Sequence, residues 1–405
     1  MIQILEPGTR WIAGEEMSRL NLLENAWLSI KDGIIAGYGP MATCKATAEE
    51  VIDAQGKIVM PAFCDSHTHL VYAGNREQEF VDRIKGLSYE EISRRGGGIN
   101  NSAGRLRAAS EENLYQEAMV RIREIISQGT GAVEIKSGYG LNTESELKML
   151  RVIRRIKDTS PVTVKSTFLG AHAVPAEFSG NQDGYVDYIL NNMLPGVATE
   201  GLADFIDVFC DQGFFTVENT ARILEAGALF GLRPKIHANE LACSGGIQIG
   251  VKYNALSVDH LEWTGTEEIH ALLGSLTMPT LLPGAALFLG LNWPPVRSMI
   301  SSGLPVALAS DFNPGSSPTG NMMLMVALGC ISMKMLPEEA IHASTINAAY
   351  AMGVENELGS ITLGKKANLI ISKQISGYNF LPYAYGSNLI DTVILNGKKI
   401  ETKNL

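Results

Sequence analysis

The chain carries no CxxC pair, no cluster of Lys and Arg, no apolar run of membrane-spanning length and no low-complexity tract. Each absence closes off a class of function. The five cysteines, Cys44, Cys64, Cys210, Cys243 and Cys330, are odd in number and far apart. That argues against a disulfide framework or a thiolate zinc site, and reduced thiols in a cytoplasmic protein are the expectation. The net charge is −10 with a pI near 5.3. Nucleic-acid binding draws on clustered Lys and Arg that neutralise phosphates, so that class is set aside. A single buried Arg could still hold a small anion. The most apolar stretch, Thr280 to Trp293, is broken by Pro283, Gly284 and Gly290, whereas a spanning helix needs about 20 apolar residues. The opening segment MIQILEPGTRWIAGEEM has no basic stretch followed by an apolar run, so no signal peptide is expected. We expect a soluble protein that binds neither nucleic acid nor membrane.

What the sequence does have is core material and a repeating pattern. Its 405 residues, 45% apolar and 19% charged, suit a barrel of ordinary size with a smaller appendage. From residue 57 short apolar runs alternate with helical segments. The runs are KIVMPAF (57–63), GAVEIK (131–136), VTVKSTFLG (162–170), DFIDVF (204–209), RPKIH (233–237), ALSVDH (255–260), SLTMPTLL (275–282) and PVALASD (305–311). Near-continuous apolar runs fit parallel strands buried on both faces. The clearest helical face between them is Leu114, Ala118, Ile122 and Ile125 within 111–128. Eight strand–helix alternations predict an α/β fold, a (β/α)₈ TIM barrel over residues 57–356.

Both ends read differently. Residues 1–56 and 357–405 hold short β-like runs separated by turns, GIIAGYG, ELGSITLGKKANLIIS and DTVILNGKKI, the last with an Asn396-Gly397 hairpin signal. They predict one small β-sandwich domain built from both termini. Gly96-Gly97-Gly98 reads as a mobile loop, since a phosphate cradle would need a following helix and usually a Lys.

The chemistry-bearing residues fall in register with the strands. Asp65-Ser66-His67-Thr68-His69 follows the first run, and residues two apart in an extended segment point the same way, so His67 and His69 can reach one ion together. His172, His237, His260 and Asp311 close the third, fifth, sixth and eighth runs, on the face that carries active sites in such barrels. Only seven histidines occur in the chain. Any one of these five histidines alone reads as a core or capping residue, but five on one face point to a site; His270 and His342, on helical segments, are read as structural. Two or three His with one Asp suit Zn²⁺ or Fe²⁺. Such an ion activates water and polarises a carbonyl, and Asp311 could serve as both ligand and proton acceptor. Glu240, three residues past His237, is placed to touch substrate or carry a proton. Its competing reading is a first-turn acid of the next helix.

The PAFCDSHTHL segment, His237, His260 and Asp311 resemble the amidohydrolase superfamily, and the terminal β segments resemble its composite sandwich. Within it, VYAGNREQEF (71–80), EIKSGYGLN (134–142), TFLGAHAVP (167–175), IHANEL (236–241) and SDFNPGS (310–316) resemble the imidazolonepropionase family over nearly the whole chain. The resemblance implies His67, His69, His237 and Asp311 as ligands of one zinc or iron ion per chain (Zn²⁺, Fe²⁺ or Fe³⁺). It implies Arg76, Tyr139, His172, Glu240, Asn313, Gly315 and Ser316 as substrate contacts, and Glu240, His260 and Asp311 as the groups of water activation and proton transfer. Ser316 stands where the family pattern has threonine, and the hydroxyl is retained. Lys136 and Lys165, where binuclear relatives can carry a carbamylated lysine, are then read as structural or as support behind the metal ligands.

The implied reaction is hydrolysis of the cyclic amide 4-imidazolone-5-propanoate to N-formimidoyl-L-glutamate in histidine degradation. A metal-bound hydroxide would attack the ring carbonyl, and Arg76, with Tyr139, would hold the carboxylate tail. A cytoplasmic homodimer is implied as well. Two rivals stand beside this reading. One is a different amidohydrolase, such as a cyclic amidine or nucleobase deaminase, which needs the metal set but not the Arg76 contact. The other is a non-catalytic scaffold, which metal analysis would separate.

Overall fold

A computed structural model of the chain describes residues 1–45, 47–87, 91 and 97–401. Four strands belong to the first part of the chain: β1 (Ala26–Lys31), β2 (Ile34–Pro40), β3 (Val59–Pro61) and β4 (Phe63–Thr68). Then come β5 (Thr130–Lys136), β6 (Thr163–Ala171), β7 (Phe205–Cys210), β8 (Arg233–Ala238), β9 (Ser257–His260), β10 (Met278–Leu281) and β11 (Ala307–Leu308). The last three are β12 (Leu369–Ser372), β13 (Ile390–Leu395) and β14 (Lys398–Lys399).

Strands β4 to β11 form one eight-stranded sheet in sequence order, every pair parallel. A parallel bridge between Thr68 and Phe312 joins its two edges. There the Asp311 N–H donates to the His67 carbonyl at 3.0 Å and the His69 N–H to the Phe312 carbonyl at 2.9 Å. The sheet is a TIM barrel, and its strands are buried on both faces, as β5 shows from end to end. Helices cover it through apolar stripes. Glu111–Ser127 starts at an N-cap, Ser110, which accepts from the Asn113 N–H, and buries Leu114, Ala118, Ile122 and Ile125. Thr143–Thr159, capped by Asn142, buries Met149, Leu150, Val152, Ile153 and Ile156.

The terminal segments supply the expected extra β structure. An antiparallel pair, β1 with β2, faces an antiparallel sheet ordered β14-β13-β12-β3. Ile35 from the first shares a buried cluster with Ile361, Leu369, Ile371 and Ile394. Asn396 and Gly397, at φ 51° and 75°, make the two-residue turn between β13 and β14. Both central residues sit left-handed there, which is why Asn-Gly is favoured.

Three expectations need correction. The run 57–63 is not the first barrel strand: Val59–Pro61 pairs with Leu369–Ile371 in the terminal sheet. The chain changes sheets at one point, where the Ala62 N–H donates to the Asn368 carbonyl and the Phe63 N–H to the Gly129 carbonyl, each at 2.9 Å. Apolar residues run straight through this switch, so periodicity does not reveal it. Asp65 to Thr68 consequently lie inside β4 rather than in a turn behind it. The eighth run shortens to Ala307–Leu308, because Asp65 takes the Ser310 N–H at 2.9 Å in place of a ladder carbonyl. Third, a helix, Ile99–Ala108, does follow Gly98; Gly96 lies outside the described residues. No helix among the described residues is long and apolar enough to cross a membrane.

Candidate active site

The strand ends bring His67, His69 and His237 together, with ligand atoms of all three within 4.8 Å of one another. Pairing sets this up: His237 in β8 is opposite Asp259 in β9, and Ala238 is opposite His260. The ring centres of His67 and His237 are 4.4 Å apart. Asp311 closes the group, its Oδ1 at 3.6 Å from Nε2 of both His67 and His69.

Carboxylates behind the rings decide which nitrogens face inward. Nδ1 of His67 meets Asp259 Oδ2 at 2.7 Å. Nδ1 of His237 lies 3.0 Å from Asp207 Oδ2 without a well-aligned hydrogen bond. Nε2 of His67 and of His237 is buried with no hydrogen-bond partner among the described residues. Burial, reinforced by neighbouring cations, holds His67 and His69 far below the usual imidazole range. Burial also brings His172 down to about 3 and His237 to about 4. Neutral imidazole is the form that binds metal. Orphaned inward nitrogens, a facing carboxylate and acids behind the rings are the features of a histidine metal site, and the donor set fits a divalent transition metal.

The acids are themselves held by lysines. Nζ of Lys136 bonds Glu134 Oε1 at 2.6 Å and Asp207 Oδ2 at 2.8 Å, and lies 3.7 Å from Asp259. Lys235 bonds the Ser66 carbonyl at 2.9 Å and also Glu134. Burial would raise Asp207, but His237 and Lys136 overcome it and hold the carboxyl well below its ordinary range. Lys165 is separate from this group and pairs with Asp204 at 3.2 Å.

Glu240 follows β8 through Asn239, a left-handed residue with φ 55°. Asp211 Oδ2 accepts the N–H groups of Glu240 and Leu241 at 2.7 and 2.9 Å. The next helix is Gly246–Lys252, so Glu240 is not a first-turn acid. Its Oε2 stands 3.7 Å from His260 Nε2. Burial raises the Glu240 carboxyl above its usual range. For His260 burial acts downward, yet Glu240 and Glu262 on either side overcome it and raise the imidazolium. Burial likewise lifts Asp311 to about 6.

His172 stacks on His69 with ring centres 5.2 Å apart, and its Nδ1 meets the Gly138 carbonyl at 3.0 Å. Tyr139 is buried, 5.4 Å from the His172 ring and 5.8 Å from His69. Glu146 folds this loop by accepting the N–H groups of Gly138, Gly140 and Leu141 at 3.0, 2.7 and 2.9 Å. Arg76 is half-buried beside the Gly315 backbone, and Glu79 Oε2 takes its Nε at 2.9 Å and Nη2 at 2.5 Å. Asn313 braces the Asp311–Ser316 turn, giving its amide hydrogens to the Asp311 carbonyl and Ser316 Oγ and accepting from the N–H groups of Gly315 and Ser316. Ser316 Oγ donates to Asp311 at 3.1 Å. His342 bonds the Arg19 carbonyl at 2.8 Å, and both it and His270 lie in helices.

Sequence reasoning passed over Asp65, Asp207, Asp259, Glu262 and Lys235. A signal existed, because a charged residue inside an otherwise apolar barrel strand is rarely buried without a partner.

Residues 249–400 match the amidohydrolase family. An imidazolonepropionase of Flavobacterium johnsoniae is 55% identical, covering 99% of this chain and 98% of that protein. Another from Christiangramia forsetii is 54% identical over the same shares. Among solved structures, a 5-methylcytosine deaminase of Klebsiella pneumoniae bound to 5-fluorocytosine superposes with a TM-score of 0.74 at 18% identity, covering 99% and 97% of the two chains. That likeness speaks for the fold alone. Full-length identity of this order shows that the chain belongs to the imidazolonepropionase family of the amidohydrolases.

Proposed function

We propose that the chain hydrolyses 4-imidazolone-5-propanoate to N-formimidoyl-L-glutamate, using one zinc or iron ion per chain held by His67, His69, His237 and Asp311. The observation that carries this reading is the inward-facing, unpartnered Nε2 pair of His67 and His237 opposite Asp311. When bound, such an ion lowers the pKa of water toward neutrality and polarises a carbonyl oxygen.

The chain's own residues do the rest. Asp311 and His260 stand where the attacking water must lose its proton. Glu240, buried with a raised pKa, exchanges protons with the ring nitrogen as the amide C–N bond breaks, and an acid tuned toward neutrality suits both directions of transfer. Tyr139 and His172 wall the ring side. Arg76 holds the propionate, while Asn313, Gly315 and Ser316 shape the turn against which the guanidinium lies. We assign residues 57–356 to the catalytic barrel and 1–56 with 357–405 to the composite sandwich, to which Val59–Pro61 adds a strand. Five free cysteines, two of them exposed, suit a reducing compartment, and we assign the enzyme to the cytoplasm as a homodimer.

Incubation of the zinc- or iron-loaded protein with 4-imidazolone-5-propanoate tests the reading through loss of the ring chromophore. A deaminase would instead release ammonia from an amino-substituted ring and leave this substrate untouched.

A further inference from the structure

Two residues beyond His260 stands a carboxylate for which the reaction as described has no use. The Glu262 side chain is fully buried, and neither oxygen has a hydrogen-bond partner among the described residues. Leaving a buried carboxylate unpaired is costly, so its retention calls for a reason. The backbone beside it is strained as well. His260 and Leu261 are consecutive left-handed residues, at φ 87° and 73°, and neither is glycine. Backbone of this kind persists only where its surroundings enforce it, and it gathers at functional sites.

The enforcement is visible. The Leu261 N–H donates to the Ala238 carbonyl at 3.1 Å and the Trp263 N–H to the Asn239 carbonyl at 2.8 Å. The Asn239 side-chain amide returns a hydrogen bond to the Trp263 carbonyl at 2.8 Å. Two left-handed turns, at Asn239 and at His260-Leu261, are thus stapled to each other. One presents Glu240 to the His260 ring and the other presents Glu262: Nε2 faces Glu240 Oε2 at 3.7 Å, and Nδ1 faces Glu262 Oε1 at 3.9 Å.

We infer that Glu262 is a positioning residue that holds the Nδ1–H of His260 and thereby presents Nε2 to Glu240 and to the attacking water. This role rests on the hydrolytic reading above. An ionised carboxylate only accepts, so placing one at Nδ1 fixes the proton there and the orientation of the ring. Once the imidazolium has handed its Nε2 proton to Glu240 across the 3.7 Å gap, Nε2 takes one proton from the water while Glu240 delivers the other to the leaving nitrogen. The 3.9 Å separation is longer than a hydrogen bond, and contacts of this sort commonly tighten only when substrate is in place.

The test uses the full-length, zinc-loaded enzyme with ¹⁵N-labelled histidine, practical because the chain has only seven. A His260→Gln variant assigns the His260 signals. Wild type should carry a proton on His260 Nδ1 that Glu262→Leu displaces. In Glu262→Leu, kcat should fall on the order of 10²-fold with KM and metal content little changed. The melting temperature should stay near that of wild type, which separates the role from a structural one. In a His260→Ala background the same substitution should make no further difference to kcat. Glu262→Gln, which keeps the shape, serves for the same measurements if the leucine variant does not fold. An unprotonated Nδ1 in wild type, a near-normal kcat, or an equal loss in the His260→Ala background would each overturn the role. Failure of wild type to consume 4-imidazolone-5-propanoate would sink the substrate reading instead, and the labelled-histidine spectra would still decide on Glu262.

Discussion

At the histidine group the inward nitrogens of His67 and His237 have no hydrogen-bond partner among the described residues, whereas at the other corner Arg76 and Asn313 are already bonded to their neighbours. The first arrangement presents its nitrogens opposite Asp311, with Asp259 bonded to His67 from behind and Asp207 beside His237. The second is closed on itself: Glu79 takes the guanidinium, and the Asp311–Ser316 turn uses the whole asparagine amide. A ligand arriving at the first corner need break no hydrogen bond of those two nitrogens among the described residues, and one arriving at the second must share Arg76 with a carboxylate. Substitutions on the metal side should therefore act in an all-or-none way. Those on the tail side should be graded.

The largest effect is expected from His237→Ala. It removes one of four proposed donors and leaves Asp207 facing a gap, so both metal content and turnover should vanish. Elemental analysis decides; full occupancy in the variant, or two ions in the native chain, would contradict the assignment. Glu240→Gln comes next and separates chemistry from binding. Glu240 stands 3.7 Å from His260 and is not among the clustered donors, so the ion should stay while kcat falls. General acid–base help is worth about 10²–10⁴-fold. Near-normal activity with metal retained would remove Glu240 from the mechanism.

The metal corner was the more legible of the two in the sequence, for a physical reason. Strand ends recur with the barrel's period, so His67, His237, His260 and Asp311 fall in register without knowledge of any contact. The groups that support them do not. Asp259 meets His67 across 192 residues of chain, and nothing local distinguishes it from any acid beside a histidine. The sheet switch at Ala62 is hidden by unbroken apolar sequence. The left-handed turn at His260-Leu261 uses residue types that give no turn signal. At the tail corner Arg76 was recognisable as a candidate clamp, but its engagement with Glu79 depends on the first turn of the helix Glu77–Ile84.

Arg76→Ala tests the graded side. Losing a partly buried guanidinium–carboxylate pair costs on the order of 2–5 kcal/mol, much of it from the charge left unpaired. The variant should keep its metal and turn over the propionate substrate far more slowly. On an imidazolone without the carboxylate tail, wild type and variant should nearly converge. Equal losses on both substrates would mean that Arg76 serves folding, with Glu79 as its true partner.

Gly315→Ala should give the smallest effect and the most specific one. Gly315 sits in a backbone conformation open to any residue, so alanine brings no conformational strain there. A Cβ at this position would, however, run into Arg76, meeting Nη1 first and Cζ at 2.9 Å. The guanidinium would have to move, and Glu79, which holds Nε and Nη2, sets the direction in which it can go. Overpacking of this kind typically costs about 1–3 kcal/mol. Because Arg76 is proposed to hold the tail and not to enter the bond-breaking step, the penalty should appear as a raised KM with kcat and metal content near wild type. Asp311 offers the internal control. It belongs to the same turn, so a disturbance spreading through Asn313 to Asp311 would lower kcat and loosen the metal together. A KM effect confined to carboxylate-bearing substrates would show that the two corners are mechanically separate, whereas a joint loss would show that the turn binds them into one unit.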